Sequence, residues 1–154
     1  MTTVTLEQIK EEHTKLSCLI AAFEKQIHET SQIHFPEALI ELKPGEEYAG
    51  LILGKDGKES YHLVLLPGDA ADINWTDAKV WAKAHGGELP TRREQALLYA
   101  NLKEAFEERW HWSCEQHAAY SAYAWYQYFG DGYQYYGSTS SKLRARAVRR
   151  LTIQ

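Results

Sequence analysis

A short stretch of this 154-residue sequence holds the side chains best suited to recognition chemistry. Eleven aromatic residues, seven of them tyrosines, lie between Trp110 and Tyr136, with serine, alanine and glycine among them. Tyrosine rings give a large, rigid contact area and a hydroxyl group at low cost in conformational entropy, as they do in antibody binding sites. The composition therefore predicts a ligand-binding surface at residues 111–140. The residues expected to contact the ligand are Tyr120, Tyr123, Tyr126, Tyr128, Tyr133, Tyr135, Tyr136, His111 and Ser138.

Alternation along a predicted strand at 124–129 sorts part of this cluster by sheet face. Trp125 and Phe129 point to one side and Tyr126 and Tyr128 to the other, because successive side chains alternate across a strand. We expect the first face to belong to the core and the tyrosine face to be exposed. The alternative is that the tyrosines are only half-buried strand residues, since tyrosine has a high strand propensity.

A second strand, at 132–137, carries the rest of the cluster. Its alternation puts Tyr133 and Tyr135 together, with Gln134 and Tyr136 on the opposite side. The tyrosines exceed what a core needs, and this excess favours a binding surface. The aromatic residues expected in the core are Trp75, Trp81, Trp110, Trp112, Trp125 and Phe129.

Few residues are arranged for catalysis or metal binding. The two cysteines, Cys18 and Cys114, form no Cys-x-x-Cys pair, so neither a disulfide framework nor a zinc site is indicated. His111, Glu115 and His117 match no standard metal-ligand spacing, and the histidines are expected at the surface or in hydrogen bonds. We therefore expect no enzymatic activity, no metal ion and no cofactor.

An N-terminal helix is predicted to hold copies of the chain together. Apolar residues from Leu6 to Ile27 recur at alternating spacings of three and four, which is a heptad pattern with His13 as a polar residue on the stripe. The pattern predicts a coiled-coil homo-oligomer, with a trimer favoured. The alternative is an amphipathic helix that packs on its own domain. Residues 31–36 are expected to end this helix, so that 1–30 form an oligomerisation segment.

Residues 31–154 are expected to form one domain of the α+β class. Strands are predicted at 38–42, 47–53 and 61–66, and the Gly-Lys-Asp-Gly sequence at 54–57 predicts a hairpin between the last two. The aromatic stretch, which is interrupted by glycines, predicts further strands and hairpins.

Two helices separate these strand regions. The first, at 74–84, places two tryptophans and two alanines on one face, and the pair that begins with Gly86 ends it. The second begins at Thr91, whose hydroxyl and Glu94 form a capping box. Scaffold roles are expected for these residues. The buried face of the second helix is expected to comprise Ala96, Leu97, Ala100 and Leu102.

Charge is unevenly distributed along the chain. The formal net charge is −4, which gives no reason to expect nucleic acid or an anionic membrane as a partner. No acidic residue follows Asp131. The arginines beyond it are expected to alternate along one exposed final strand at 144–150; the alternative is a polyanion site, and the arginines can also pair with the acidic body of the protein. The basic residues of this stretch are Lys142, Arg144, Arg146, Arg149 and Arg150.

The N-terminus lacks the basic start and apolar run of a signal peptide, and no apolar stretch is long enough to span a membrane. We therefore expect synthesis in the cytoplasm and no membrane insertion.

The order of several short motifs resembles a known fold family. Together they resemble the C-type-lectin-like fold, in the branch shared by formylglycine-generating enzymes, DUF1566 domains and the variable target proteins of diversity-generating retroelements. The resemblance covers residues 38–152. The motifs are Trp75-x-x-Ala78-x-x-Trp81-Ala82, Gly86-Gly87-x-Leu89-Pro90-Thr91-x-x-Glu94, Trp112-Ser113, Ala124-Trp125, Phe129-x-Asp131-Gly132 and Arg146-x-Val148-Arg149.

The resemblance implies a ligand-display function. Variable proteins of this group, such as phage tropism determinants, are oligomers whose diversified codons leave tyrosine, serine, aspartate, glycine and alanine at scattered surface positions. The tyrosine cluster fits such a mechanism. The implied protein is encoded by a phage or prophage, is associated with the virion, and binds a protein or glycan receptor.

Two other functions stay open. A fixed structural or assembly protein of a phage or prophage would use the aromatic face as a permanent interface. A formylglycine-generating-type oxidoreductase would use Cys114 as its reactive thiol, although that family implies cysteines in a pair late in the domain and this chain has only Cys114 there. Calcium-dependent lectins imply Glu-Pro-Asn or Gln-Pro-Asp, and neither tripeptide occurs.

Overall fold

The structure, a computed structural model, describes residues 4–27 and 37–153. These residues form a mixed α+β fold with an N-terminal helix, two further α-helices and two sheets, so the predicted α+β class is confirmed. The chain divides into two units, Met1–Glu37 and Ala38–Gln154. In chain order the elements are α1 (Leu6–Ile27), β1 (Glu47–Ile52), β2 (Tyr61–Leu65), β3 (Ala70–Ile73), α2 (Trp75–Ala84), α3 (Arg92–Leu102), a 3₁₀ turn (Lys103–Ala105), β4 (Trp110–Gln116), β5 (Tyr123–Tyr128), β6 (Gln134–Ser138), β7 (Leu143–Ala145) and β8 (Val148–Thr152).

The first unit contains the predicted N-terminal helix. At its start, the Thr5 amide donates to Gln8 Oε1 (2.9 Å) and the Gln8 amide donates to Thr5 Oγ1 (3.3 Å), which satisfies two amides that the helix leaves unpaired. The side chains of Leu6, Leu16 and Phe23 on the heptad stripe are 66%, 57% and 62% exposed. The helix is confirmed, and its self-association stays a prediction. The predicted helix end at 31–36 lies outside the described residues.

The second unit begins with an antiparallel sheet in the order β1-β2-β8. The predicted hairpin between β1 and β2 is confirmed: Asp56 and Gly57 have φ of 54° and 78° in a two-residue turn. The predicted strand at 38–42 is wrong. Within residues 4–27 and 37–153 this segment pairs with no strand, and the carbonyl of Glu41 accepts a hydrogen bond from the side chain of Arg149 (2.9 Å).

The second sheet has the order β3-β7-β4-β5-β6 and carries the aromatic cluster. Its strands are antiparallel except for β4 with β7, which run parallel. The single final strand predicted at 144–150 is wrong, because β7 and β8 are separate strands in different sheets. The chain leaves one sheet after Ala145 and enters the other at Val148, which forms an isolated bridge with Glu88 in the segment between α2 and α3.

The predicted end of α2 at Gly86 and the predicted capping box of α3 are confirmed, and the structure adds a cap at the start of α2. Asn74 accepts a hydrogen bond from the Asp77 amide (2.9 Å) at the start of α2, and Gly86 has a φ of 83° just beyond its end. At the start of α3, the hydroxyl of Thr91 accepts from the Glu94 amide, and the Glu94 carboxylate accepts from the Thr91 amide.

The predicted buried face of α3 is wrong at two of its four positions, because Leu97 packs against the core although it is only half-buried. Glu94 is completely buried because its carboxylate accepts hydrogen bonds from Arg150 Nε (2.6 Å) and from the Tyr61 hydroxyl (2.6 Å). Polar residues therefore occupy positions that hydrophobicity assigns to solvent. The predicted residues are Ala96 and Ala100, which are exposed, Leu97, which is half-buried, and Leu102, which is buried; the inward residues are Glu94, Gln95, Leu98 and Leu102.

The C-terminal arginines are half-buried rather than exposed. Pairing with the acidic body is confirmed for Arg144, Arg149 and Arg150, whereas Arg146 donates to backbone carbonyls. Arg149 donates to both carboxylate oxygens of Glu46 (2.9 and 2.7 Å), and these bonds lower the pKa of Glu46. Arg144 donates to Asp69 (2.8 Å). These charges therefore fasten the last two strands to the domain.

The aromatic core is smaller than predicted. Trp75, Trp112 and Phe129 are buried, as expected. Trp81 is half-buried and packs against the core. Trp110 and Trp125 are also half-buried, but they belong to the aromatic surface of the sheet, so their assignment to the core is wrong. No helix among the described residues is long and apolar enough to cross a membrane.

Candidate functional site

The aromatic cluster lies on β4, β5 and β6, and β6 is the edge strand of the sheet. Tyr126 is paired with Tyr135, and Trp125 with Tyr136, across β5 and β6. Paired residues point to the same side of a sheet, so these two pairs mark its two faces and the predicted alternation is confirmed. We call one side the Trp110 face, which carries Trp110, Tyr126 and Tyr135. The other side is the Trp125 face, which carries Trp125 and Tyr136.

The Trp110 face is organised around a tryptophan. The ring centroid of Trp110 lies 4.9 Å from Tyr126, 5.2 Å from Tyr128 and 6.5 Å from Tyr133. The first and third contacts are edge-to-face, which aromatic pairs prefer. Tyr135 stacks beside Tyr133 at 6.1 Å. Trp110 therefore fixes the rings of this face from the centre.

Two glycines leave room for the tyrosine rings. A Cβ atom added at Gly137 would lie 2.8 Å from the hydroxyl oxygen of Tyr126, and one added at Gly130 would meet the ring of Tyr128. Over Gly137, the Tyr126 hydroxyl donates a hydrogen bond to the carbonyl of Tyr136 (3.2 Å). The glycines thus let two tyrosines lie flat against the sheet edge.

The Trp125 face is held by a cation and an imidazole. The guanidinium of Arg92 lies 3.5 Å from the centroid of the Trp125 ring. The imidazole of His117 stacks on Trp125 at 5.8 Å and contacts Tyr136 at 4.3 Å. Arg92, the first residue of α3, therefore joins the helix to this side of the sheet.

The two faces meet around the edge strand. Tyr135 and Tyr136 are stacked at 5.0 Å with only 15° between their planes, so ring contacts continue from one face to the other. Four of the seven tyrosines in the cluster are exposed: Tyr120 (56%), Tyr123 (38%), Tyr133 (58%) and Tyr135 (47%). The other three are half-buried, as the strand-residue alternative expects. We call this set the aromatic rim: Trp110, His117, Tyr120, Tyr123, Tyr126, Tyr128, Tyr133, Tyr135 and Tyr136.

A chain of amides supports the rim from below, and sequence reasoning missed it. Gln134 donates to the carbonyl of Arg92 (2.6 Å) and to Gln127 Oε1 (2.8 Å), and it accepts from Arg92 Nε (3.2 Å). Gln127 donates in turn to the carbonyl of Gln95 (3.0 Å). The sequence did contain one signal for it, because strand alternation puts Gln127 and Gln134 on the side opposite to Tyr126 and Tyr135.

His111 does not lie on the rim, so its prediction as a ligand contact is wrong. It is paired with Gln127, on the same side of the sheet as Trp125 but in its covered part. It is 1% exposed and contacts Phe106 and Phe129 in edge-to-face geometry. Its Nδ1 donates to the carbonyl of Arg109 (2.9 Å). Burial lowers the pKa of His111 to about 4, which keeps the ring neutral.

Ser138 lies beside the rim at the end of β6. It is paired with Tyr123 on the Trp125 face, and its hydroxyl hydrogen-bonds to that of Ser140 (2.8 Å). Ser138 and the seven predicted tyrosines are therefore brought to one edge of the sheet, and only His111 is not.

The cysteines show no arrangement for redox chemistry. Cys18 and Cys114 are both free thiols. Burial raises the pKa of Cys114 to about 11, which disfavours the thiolate that a nucleophile or a metal ligand requires. Within residues 4–27 and 37–153, no three His, Cys, Asp or Glu side chains come together as a metal site.

A groove of about 330 Å³ opens beside the Trp110 face. Trp110, Arg109, Lys142 and Asp72 contribute to its walls, so charged groups of both signs border the aromatic rings. The exposed rings of the rim itself lie on and around the edge strand β6, where a broad partner can cover them.

No protein-family model matches this sequence, and no curated protein matches it. The case for a function therefore depends on the geometry of the rim.

Proposed function

We propose that this protein is a receptor-binding display protein and that the aromatic rim is its binding surface. The observation that carries the proposal is the unbroken series of ring contacts around β6, which ends in four exposed tyrosines. Each ring is held by neighbours, so little conformational entropy is lost when a partner covers it. Aromatic anchors with a polar tip are the residues that dominate protein interfaces.

The proposed fold is C-type-lectin-like, in the branch with DUF1566 domains and retroelement-diversified proteins. Its support is the order of the elements and the burial of motif residues Trp75, Trp112 and Phe129. In this proposal the gene belongs to a phage or prophage, the protein is made in the cytoplasm and joins the virion, and the rim tyrosines are positions that vary. Sequencing the neighbouring DNA tests this: a near-copy of the stretch encoding residues 110–150, differing at adenines beside a reverse-transcriptase gene, is expected.

The proposed assembly is a homo-oligomer, a trimer, formed by α1. The support is the exposed apolar stripe on a helix whose remaining surface is largely charged. An oligomer presents several rims at once, and binding at the second and third rims becomes intramolecular. Individually weak sites then give a strong attachment.

The proposed partner is a protein or a glycan on a cell surface. In this proposal the protein binds its partner and catalyses no reaction. An array experiment tests both points. The full chain is applied to arrays of bacterial surface proteins and of glycans, beside the variant in which Tyr133 and Tyr135 are both replaced by alanine. We expect wild type to mark defined spots that the variant leaves unmarked. Identical patterns for the two proteins would overturn the proposal.

The assembly-protein alternative is favoured by the same exposed rings, because permanent interfaces are also aromatic. It predicts that the rim is covered by another copy in solution. Light scattering of wild type and of the tyrosine variant separates the two functions: a rim that only assembles loses oligomeric mass in the variant, whereas a receptor-binding rim keeps it.

A further inference from the structure

The groove of about 330 Å³ beside the aromatic rim forms where β3 departs from regular pairing. Between the pairs Ala70–Ala145 and Ile73–Leu143, two residues of β3 lie opposite one residue of β7, which is a β-bulge. The second of the two, Asp72, has a φ of 49°, in the left-handed region that non-glycine residues rarely adopt. A bulge bends its strand, and Asp72 on this bend borders the groove.

Arg109 and Lys142 bring two positive charges to the walls of the groove, and both residues are exposed. Neither takes part in an ion pair with any residue that the structure describes. The backbone of Arg109 is fixed, because its amide donates to the carbonyl of Glu107 (2.7 Å) and its carbonyl accepts from the amide of Phe129 (3.1 Å). Lys142 directly precedes β7. The sheet therefore holds both cations at the groove while their charges stay available to a ligand.

The third cation of the groove, Arg144, is engaged within the protein. Its guanidinium lies 2.8 Å from the carboxylate of Asp69 and 3.5 Å from that of Glu107. Asp72 is exposed and belongs to no ion pair found within residues 4–27 and 37–153. Two cations and one carboxylate therefore remain for a ligand. This balance favours an anionic group, and Asp72 is available to accept hydrogen bonds from it.

Trp110 belongs both to the groove and to the aromatic rim. It lines the groove, and its ring centroid lies 4.9, 5.2 and 6.5 Å from those of three rim tyrosines, Tyr126, Tyr128 and Tyr133. A receptor that lies on the rim is therefore within reach of the groove.

We propose that the groove is a subsite for a sugar unit that carries a carboxylate, presented by the receptor beside the surface that the rim covers. The carboxylate pairs with the guanidinium of Arg109 and the ammonium of Lys142. The hydroxyl groups of the sugar donate to Asp72, and the apolar face of its ring packs on Trp110. The groove has the volume of a small-ligand site. The inference rests on the proposed binding function, for which it names the chemical class of the ligand.

Two simpler ligands use the groove less completely. A neutral sugar offers hydroxyl groups but no negative charge for the two cations. A glutamate side chain of a peptide offers the negative charge, but it has no hydroxyl donor for Asp72 and no ring for Trp110. The acidic sugar engages all four side chains.

Two variants that each remove one charge test the carboxylate contact. Arg109→Gln and Lys142→Gln keep a long polar side chain at an exposed position and lose the positive charge. Arg93→Gln and Lys55→Gln are the matched controls, since both are exposed cations that do not line the groove. Near-ultraviolet circular dichroism of the tryptophans checks that each variant is folded.

The test is an NMR titration of the full chain that follows the indole N–H signal of Trp110, which Trp110→Phe identifies. The acidic probes are the methyl glycosides of glucuronic acid, galacturonic acid and N-acetylneuraminic acid. The neutral probes are methyl glucoside and methyl galactoside, which carry a hydroxymethyl group where the two uronic acids carry the carboxylate. Triglutamate represents an acidic peptide.

In wild type we expect at least one acidic sugar to bind with a dissociation constant of about 1–10 mM, and the neutral sugars and triglutamate to bind about tenfold more weakly. Arg109→Gln and Lys142→Gln should each weaken the acidic sugar about tenfold, because each removes one charged hydrogen bond, and the two controls should leave it unchanged. The absence of a Trp110 shift with every acidic sugar would overturn the proposal. Equal binding of the neutral sugars or of triglutamate, or an equal loss in the controls, would do the same.

This titration needs no receptor, so it decides the role of the groove separately from the proposed function. The variant with alanine at Tyr133 and Tyr135 should bind the acidic sugar as wild type does, because neither tyrosine lines the groove. If that variant and wild type mark the same array spots, the proposed function fails and the groove result stands. If no acidic sugar binds in the groove, the subsite is refuted and the array result stands.

Discussion

The guanidinium of Arg92 lies 3.5 Å from the centroid of the Trp125 ring, so the first residue of α3 is packed on the middle of β5. The same arginine is hydrogen-bonded to Gln134 on β6. One side chain thus joins a helix to two neighbouring strands of the aromatic sheet, β5 and the edge strand β6. Since cation–π contacts and charged hydrogen bonds are each worth about 1 kcal/mol or more, Arg92 is expected to support the whole rim.

The neighbouring arginine provides a matched control for this contact. Arg92→Ala is expected to lower the free energy of unfolding by about 1–2 kcal/mol, since it loses the stacking and the bond to Gln134. Arg93 is exposed and donates only to the carbonyl of Leu53 (2.7 Å), so Arg93→Ala should cost less, roughly 0.5 kcal/mol. Urea denaturation of both variants measures the difference. Equal losses would mean that the Trp125 contact adds nothing.

The buried carboxylate of Glu94 offers a second comparison. Burial alone would raise its pKa, but hydrogen bonds from Arg150 and Tyr61 outweigh burial and lower the pKa of Glu94. Glu94→Gln leaves the Arg150 charge without its buried partner and is expected to cost about 3 kcal/mol. Glu88 also pairs with Arg150 but is exposed, so Glu88→Gln should cost under about 1 kcal/mol. Thermal denaturation distinguishes the two, and similar melting temperatures would refute the buried pair as a major support.

Stability is expected to fall in mild acid because of His111. Burial lowers its pKa from 6.5 to about 4, so the unfolded chain binds more protons than the native protein between these values. The free energy of unfolding is therefore unaffected by this group above pH 6.5, and it decreases by up to about 3 kcal/mol as the pH falls from 6.5 toward 4. His111→Gln should flatten this dependence in urea titrations across the range. In His85→Gln, which alters a surface histidine, His111 remains and the slope should persist.

The apolar stripe of α1 gives a prediction about assembly. Ile20 is half exposed on the heptad stripe, and Ile20→Asp should convert the oligomer to a monomer because a carboxylate cannot be buried in the seam. Cys18 lies on the outer side of the same helix, so Cys18→Ser should keep the oligomer. Light scattering after gel filtration measures both masses. A wild-type monomer would contradict the proposed trimer.

Much of the fold was predictable because local signals and tertiary structure agree. The capping box at Thr91, the turn at Gly57 and the heptad spacing of α1 each act within a few residues. Predictions failed where long-range pairing decides the outcome. Glu94 is buried because Arg150, far along the chain, supplies the matching charge, and the segment 38–42 has strand composition but no neighbouring strand.

The site was predictable in part for the same reason. Tyrosine alternation is local, so the sequence could indicate which rings share a face. It could not show that Tyr135 and Tyr136 stack around the edge strand, nor that Arg92 reaches Trp125 from α3. His111 was misplaced because composition gives no sign that β4 is buried on both faces at this point, where Trp112 is buried on one side and His111 on the other.

The affinity of the rim for a receptor tests the central claim most directly. Surface plasmon resonance compares wild type with the Tyr133→Ala/Tyr135→Ala variant on a protein spot identified by the arrays. Tyr48→Ala serves as the control, because Tyr48 is an exposed tyrosine (41%) on the other sheet. We predict that the double variant raises the dissociation constant at least about tenfold and that the control leaves it unchanged. Equal dissociation constants for all three proteins would contradict a binding function for the aromatic rim.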